Sequence, residues 1–266
     1  MTIWGKSFIF NGVPSEIYDL RFFDFDPPNP ANSPSGGTVS IMEEWLYRRE
    51  KPYFYGRYYQ ESLEFDMVVG SYSYIDGASR DAIQTWLVGR SSYLPLRIVQ
   101  DDISDIVYNV IFTQSTKIDV GGLNYAIMLQ AKCDRPWAVS YPAATTITNS
   151  SASSIYTTNF DFVNGSTYSG YNKPTITFTM GTLGGNLSIV NASDSDRNFA
   201  FTDLAANEII TVDNDRGIIT SSGSSLRMAN FNKNFFRAIQ GINDLTVSGS
   251  IVSLTITPVF AKGVGA

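Results

Sequence analysis

The alternation of apolar and polar side chains is the feature that most limits the fold of this 266-residue chain. The stretch PTITFTM places Ile176, Phe178 and Met180 at every second position, with threonines between them. Successive side chains of a strand point to opposite faces, so this pattern predicts a strand with one buried face. The same period recurs in residues 63–67 and in residues 252–256, where 252, 254 and 256 are predicted to face inward. With 17 Phe and 15 Tyr, which favour pleated surfaces, the fold class is predicted to be mainly β.

One stretch has helical periodicity. Ser79 is a suitable N-cap, Ile83, Trp86 and Leu87 form one apolar stripe, and Gly89 is able to end the helix. The sequence therefore predicts a single helix over Ser79 to Val88 that covers a sheet.

Turn signals divide the remaining chain. Asn11-Gly12 predicts a hairpin, and further hairpins are predicted near Asn214 to Gly217 and near Ser248 to Ser250. Pro27 to Gly37 combines four prolines with two glycines and is predicted to be an exposed loop or arm that could reach a neighbouring subunit.

The domain boundary is predicted from composition. Ser140 to Ser154 is small, polar and poor in core residues, which is typical of a linker. We therefore expect an N-terminal domain over residues 1–139, a linker over 140–154 and a β-sandwich over 155–266.

Charge and hydropathy exclude several classes of partner. The net charge is −6 and the pI about 4.7, so there is no basic surface with which to neutralise phosphates, and specific nucleic-acid binding is not expected. No segment approaches the roughly 20 apolar residues of a membrane span, and the N-terminal apolar run is too short for a signal peptide. Membrane insertion is not expected, and synthesis in the cytoplasm is. A single cysteine forms no intrachain disulfide.

The chain contains no histidine, which removes catalysis by Cys-His and Ser-His pairs as well as imidazole metal ligands. Cys133 continues a strand face formed by Tyr125, Ile127, Leu129 and Ala131. We therefore predict that Cys133 is an inert core side chain.

Carboxylates could support two kinds of chemistry. Asp194, Asp196, Asp213 and Asp215 could offer oxygen ligands to calcium, but the later glutamate of a calcium loop is missing, and a role in turns is favoured. Two of the residues Glu43, Glu44, Glu61 and Glu64 could form an acid and base pair for glycoside cleavage. The favoured interpretation is that these side chains lie on solvent-exposed strand faces and have no catalytic role. No cofactor, metal site or enzymatic activity is predicted.

An aromatic cluster provides the candidate interface residues, which are Tyr53, Phe54, Tyr55, Arg57, Tyr58 and Tyr59. Such a cluster could stack on sugar rings. Aromatic side chains on both faces of a strand favour burial on both sides instead, either in a core or between subunits. The interface between subunits is the preferred interpretation.

Six stretches in order resemble the distal tail protein family of long-tailed bacteriophages, known as Dit. SFIFNGVPSEIYDL resembles the family's opening hairpin, AIQTWL its single helix, and LQAKCDRPWAV the strand that closes its first domain. Three further stretches resemble successive parts of the family's second domain: NFDFVNGSTYSGYNKPTITFTM, ITVDNDRGIITSSG and GINDLTVSGSIVSLTITPVF. The resemblance covers nearly the whole chain.

This resemblance implies a baseplate hub located in the virion, at the distal end of the tail. The first domains would be β-barrel-like and would form a homohexameric ring, with galectin-like β-sandwiches projecting outward. The ring would bind the tail tube protein on one face and the tail-tip or tail-associated lysin protein on the other, with receptor-binding proteins as further partners. An acidic lumen would let DNA pass without adhesion. The alternative function is a carbohydrate-binding module for host-surface glycans, with Tyr168, Tyr171 or Phe199 as stacking faces.

Overall fold

The computed structural model describes residues 5–23, 39–59, 61–100, 105–149, 151–168, 170–223 and 226–263. Two compact units are present, one formed by the described residues before Ser140 with Lys262 and Gly263, the other by Ser140–Ala261. The predicted arm, Pro27 to Gly37, lies outside the described residues.

Strands dominate both units, and the mainly β prediction is confirmed. The strands up to the unit boundary are β1 (Ser7–Phe10), β2 (Val13–Pro14), β3 (Arg21–Phe22), β4 (Val39–Glu44), β5 (Tyr53–Tyr59), β6 (Glu64–Gly70), β7 (Leu94–Val99), β8 (Ile106–Val120), β9 (Leu123–Cys133) and β10 (Ala138–Ser140). The strands that follow are β11 (Thr145–Thr148), β12 (Tyr156–Asn164), β13 (Thr175–Met180), β14 (Gly185–Asn191), β15 (Arg197–Leu204), β16 (Ile209–Asp213), β17 (Ile218–Ser221), β18 (Gly241–Gly249), β19 (Ile251–Thr257) and β20 (Phe260–Lys262). Short 3-10 turns cover Ser15–Tyr18, Ala192–Asp194 and Arg227–Asn230.

The main sheet of the first unit has the strand order β2-β1-β7-β8-β9-β6-β3. It opens with the predicted Asn11-Gly12 hairpin, where positive φ angles of 50° and 77° fit a tight turn between β1 and β2. The pattern predicted for residues 63–67 is confirmed, because Leu63, Phe65 and Met67 are all buried.

The α-helix α1 (Gly77–Leu87) covers the core of this unit. Its predicted stripe is confirmed, since Ile83, Trp86 and Leu87 are buried, and the Trp86 ring stacks on Phe8 at 5.7 Å. The predicted start was wrong. The N-cap is Asp76, whose Oδ1 accepts a hydrogen bond from the backbone N–H of Ser79 at 2.7 Å. Both residue types cap helices, so the sequence alone left the choice between them open. Among the described residues, no helix is long and apolar enough to cross a membrane.

The second unit is a sandwich of two antiparallel sheets, ordered β11-β19-β13-β16-β17 and β12-β18-β14-β15. Buried side chains from both sheets form one core. The prediction for PTITFTM is confirmed, because Ile176, Phe178 and Met180 are fully buried on β13. The hairpin predicted near Asn214 to Gly217 joins β16 to β17.

Three predictions for this unit were wrong. The predicted linker contains β11, which pairs with β19 and belongs to a sheet of the sandwich. Ser248 to Ser250 is not a hairpin, because β18 and β19 lie in different sheets and the chain crosses the sandwich there. The register of β19 also shifts near Met180, so Ile251 is fully buried and Val252 only half-buried.

Candidate assembly surface

A two-stranded sheet formed by β4 and β5 is the candidate functional site. Residues 39–59, consisting of β4, the loop 45–52 and β5, are called the aromatic ribbon. The strands are antiparallel, with Val39 opposite Tyr59 and Glu44 opposite Tyr53. The register shifts at Met42, where Gly56 on the other strand has a φ of 139° that other residues rarely adopt. The ribbon is therefore a locally specified hairpin that extends no larger sheet of the described chain.

The predicted aromatic cluster lies on β5 and is exposed. The exposed fractions are 44% for Tyr53, 65% for Phe54, 62% for Tyr55 and 45% for Tyr58. Because alternate residues point to opposite faces, aromatic side chains are exposed on both faces. Burial in the core of this chain, the first alternative of the sequence analysis, is excluded for these four side chains.

Polar contacts hold the exposed aromatic side chains in place. The Tyr55 hydroxyl donates to Oε2 of Glu44 at 2.9 Å, and this hydrogen bond is the main reason that the pKa of Tyr55 is raised. The guanidinium of Arg49 lies over the Tyr53 ring at 4.0 Å. These contacts reduce the conformational entropy that the side chains lose when a partner binds.

Tyr59 marks the base of the ribbon. It is half-buried, and its ring meets Trp137 edge-on at 5.4 Å. Arg57, the only charged member of the predicted cluster, is exposed. The predicted residues thus share one strand, with Tyr59 against the body of the unit and Tyr53 at the loop end.

Sequence reasoning missed the loop of the ribbon, residues 45–52. Trp45 is 61% exposed, Leu46 44% and Tyr47 89%, so the loop presents a second apolar surface. The indole Nε1 of Trp45 donates to Oε1 of Glu43 at 3.0 Å. The signal was available in the stretch EEWLYRREKP, where three large apolar residues stand between charged ones and cannot form a buried strand face.

Cys133 lies in the core of the first unit and is fully buried. Burial raises the pKa of its thiol to about 12, with the charge of Asp134 adding to the shift. A thiol with this pKa is almost entirely protonated near neutral pH and is a poor nucleophile. Of the predicted strand face, Ile127, Leu129 and Ala131 are buried beside it, whereas Tyr125 is only half-buried.

The carboxylates considered for catalysis are dispersed. Glu43 and Glu44 are neighbours on β4 and accept hydrogen bonds from ribbon side chains, whereas Glu64 pairs with Lys132 at 2.7 Å on the main sheet. Glu61 is exposed next to that strand. The structure therefore gives no specific support to an acid and base pair.

The aspartates considered for calcium take part in local structure. Oδ1 of Asp213 accepts from the backbone N–H groups of Asp215 and Arg216, which is the turn role that was favoured. Asp194 forms a bidentate pair with Arg237 at 2.7 and 3.1 Å. In the part of the chain that the structure describes, no group of three or more Cys, Asp or Glu side chains could hold a metal ion.

Of the aromatic residues named for sugar stacking, Phe199 is 1% exposed and cannot serve. Tyr168 is half-buried. Tyr171 is 50% exposed, and the guanidinium of Arg237 lies over its ring at 3.9 Å. Only Tyr171 of the three presents a large exposed ring.

The two family models that match this chain both describe domains of phage tail proteins. A family model described as a phage tail protein N-terminal domain matches residues 4–135, and a phage tail C-terminal domain model matches residues 125–257. A search of curated protein sequences finds no match.

Two solved structures share the fold. The crystal structure of the SPP1 Dit protein, presented as a paradigm of the hub adsorption apparatus of phages that infect Gram-positive hosts, has a TM-score of 0.65 and 11% identity, covering 96% of this chain and 98% of that one. A chain of the phage P2 baseplate in its activated conformation has a TM-score of 0.52 and 8% identity, covering 91% and 90%. At these identities the likeness concerns the fold.

Proposed function

We propose that this chain, which belongs to the family of phage tail proteins whose two domain models match it, is the distal tail protein of a long-tailed phage. In this proposal, six copies form a ring at the end of the tail. The proposed ring joins the tail tube to the proteins of the tail tip. Its role is structural, without catalysis. The fold shared with the SPP1 Dit protein over nearly the whole of both chains supports this assignment.

The aromatic ribbon is the observation that carries the proposal. A two-stranded sheet is marginally stable by itself in water, and this one exposes large apolar side chains on both faces. Contiguous exposed apolar surface on a folded protein marks an interaction site. Tyr, Trp and Arg, which the ribbon supplies, are the residues that dominate binding energy at protein interfaces.

A closed ring also requires two different binding surfaces on each copy. Copies in a closed ring bind head to tail, so each copy must present two different surfaces, one of which is here the ribbon. The net charge of −6 suits a ring through which DNA passes, because like charge repels phosphate.

Native mass spectrometry tests the proposal. Six copies of a 29.4 kDa chain have a mass of about 176 kDa. Tyr55→Ala and Tyr58→Ala should each weaken assembly, because removing an interface aromatic side chain at a hot spot costs about 2 kcal/mol or more. Tyr74→Ala is the matched control, since Tyr74 is 52% exposed in the same unit but lies outside the ribbon.

The masses should be measured on the purified chain and on tails from phage particles. A chain that is monomeric in both samples would refute the ring. Equal weakening by the control substitution would show that the ribbon has no special role in it.

A further inference from the structure

A shallow cleft lies beside the C-terminal end of α1. It has a volume of about 480 Å³ and is lined by Gln84, Thr85, Val88 and Gly89 from the helix end and by residues 113–115 of β8. None of these side chains is charged, so a neutral ring could enter the cleft without separating a buried ion pair. This surface is called the helix cleft.

The strand that lines the helix cleft, β8, runs past the end of its neighbour β7. β7 pairs with β8 only as far as Val110, which lies opposite Leu94. Beyond that point Thr113 and Gln114 are exposed.

The helix end gives the cleft an electrostatic preference. The C-terminus of a helix carries partial negative charge, which favours nearby cations. The last turn of α1 contains no basic residue. Arg90, just beyond the helix, donates through Nε to the carbonyl of Trp86 at 2.9 Å and satisfies one of the terminal carbonyls.

The loop of the aromatic ribbon has complementary chemistry. Residues 45–52 contain Arg48, Arg49, Lys51 and one glutamate, so their net charge is +2 in a chain whose net charge is −6. Tyr47, at the turn of this loop, is the most exposed aromatic side chain of the ribbon at 89%. The loop therefore combines a highly exposed ring with cations beside it, and the guanidinium of Arg48 lies over the Tyr47 ring at 5.2 Å.

We propose that the ribbon loop of one copy binds in the helix cleft of the next copy, with the Tyr47 ring between α1 and β8 and with Arg48 and Arg49 toward the C-terminus of α1. The inference rests on the proposed ring and names the surface that receives the ribbon. Loop and cleft are two different surfaces of one chain, as a head-to-tail contact requires.

Disulfide trapping tests this contact. Cys133 is fully buried and is the only cysteine of the chain, so new cysteines can be introduced without another reactive thiol. The double variants Tyr47→Cys with Thr113→Cys and Tyr47→Cys with Gln84→Cys should give covalently linked oligomers under mild oxidation. Tyr47→Cys with Ile218→Cys is the control, because Ile218 is exposed but belongs to the second unit.

Purified chain and tails from phage particles should both be oxidised, and native mass spectrometry should be run in parallel. Tyr47→Ala should raise the concentration needed for half-assembly at least about tenfold, whereas Tyr47→Phe should change it little. A ring of the expected mass in which neither cleft pair cross-links would overturn the proposed contact and leave the ring intact. Cross-linking of Tyr47→Cys only to a different tail protein would overturn it equally, and the absence of any oligomer would refute the ring itself.

Discussion

The ion pair between Glu208 and Arg227 allows the stability of the second unit to be predicted quantitatively. The Glu208 side chain is 2% exposed and that of Arg227 14%. Arg227 donates to Glu208 through Nε at 2.7 Å and through Nη2 at 2.8 Å, and the backbone N–H of Ala205 and the hydroxyl of Ser221 also donate to this carboxylate. Burial by itself would raise the pKa of Glu208, but these hydrogen bonds outweigh burial and lower it.

Glu208→Gln keeps the shape of the side chain and leaves Arg227 as a buried cation without a counter-ion. Removing one partner of a buried pair costs about 3 to 5 kcal/mol. For a unit of about 120 residues, 1 kcal/mol corresponds to about 4 °C in the unfolding temperature, so the expected decrease is roughly 12 to 20 °C. The matched control is Glu64→Gln, which breaks a half-exposed pair with Lys132 and should cost less than about 1 kcal/mol.

Two signals separate the units in the assay. All four tryptophans, Trp4, Trp45, Trp86 and Trp137, precede Ser140, so their fluorescence reports the first unit only. Scanning calorimetry of the full chain should show the transition of the second unit moving to lower temperature while the tryptophan transition stays in place. A calorimetric change of less than about 4 °C would refute the reasoning.

The loss of stability caused by Glu208→Gln should become smaller as the pH falls. Because the pKa of Glu208 is lower in the folded chain than its ordinary value of 4.5, the pair contributes fully above that value. Its contribution is lost as the pH falls through the lowered pKa of the folded state. The difference in stability between wild type and Glu208→Gln should therefore shrink under acidic conditions.

Two further predictions concern single side chains. Native Cys133 should resist a thiol reagent near neutral pH and react once the chain is unfolded, because burial raises its pKa to about 12; Cys133→Ala should still fold and assemble, and rapid labelling of the native chain would contradict this. Phe199→Ala should destabilise the second unit by about 3 to 5 kcal/mol, measured by calorimetry, because its ring is buried against Phe201 and Phe231. Tyr171→Ala should cost much less, and equal losses would show that the burial assigned to Phe199 is wrong.

Local patterns in the sequence predicted those parts of the fold that depend on interactions between neighbouring residues. The alternation at Ile176, Phe178 and Met180 and the turn at Asn11-Gly12 depend only on neighbouring residues. The linker prediction failed because Thr145–Thr148 gains its strand partner from far along the chain, where Thr146 lies opposite Thr255. Small polar residues form either linkers or strand faces, and a distant partner decides between them.

At Gly249, where the chain crosses from one sheet of the sandwich to the other, a distant partner again decides the structure. A Cβ at this position would come within 2.6 Å of the Asn186 carbonyl oxygen, so glycine is required by a contact between β18 and β14 rather than by a hairpin turn. The candidate site was predicted only in part. Aromatic residues on both faces of β5 indicated that a partner is needed, but the loop with Tyr47 has neither a helical nor a strand period, and its only signal is three large apolar residues between charged ones.

Deleting the aromatic ribbon should separate folding from assembly. None of the buried core residues of the first unit lies within residues 40–59; most of them come from β1, β6, α1 and the strands that follow it. Replacing residues 39–59 with a short Gly-Ser linker removes exposed surface and the edge contact between Tyr59 and Trp137, and closing a loop of this kind costs little free energy. The Trp86 ring should therefore stay between Phe8 and Tyr18, and thermal unfolding of the first unit should change by only about 1 to 2 kcal/mol. The same variant should remain monomeric at concentrations where the wild type assembles. If instead the first unit unfolds, the ribbon is part of the fold, and its exposed aromatic side chains are no longer evidence for a partner.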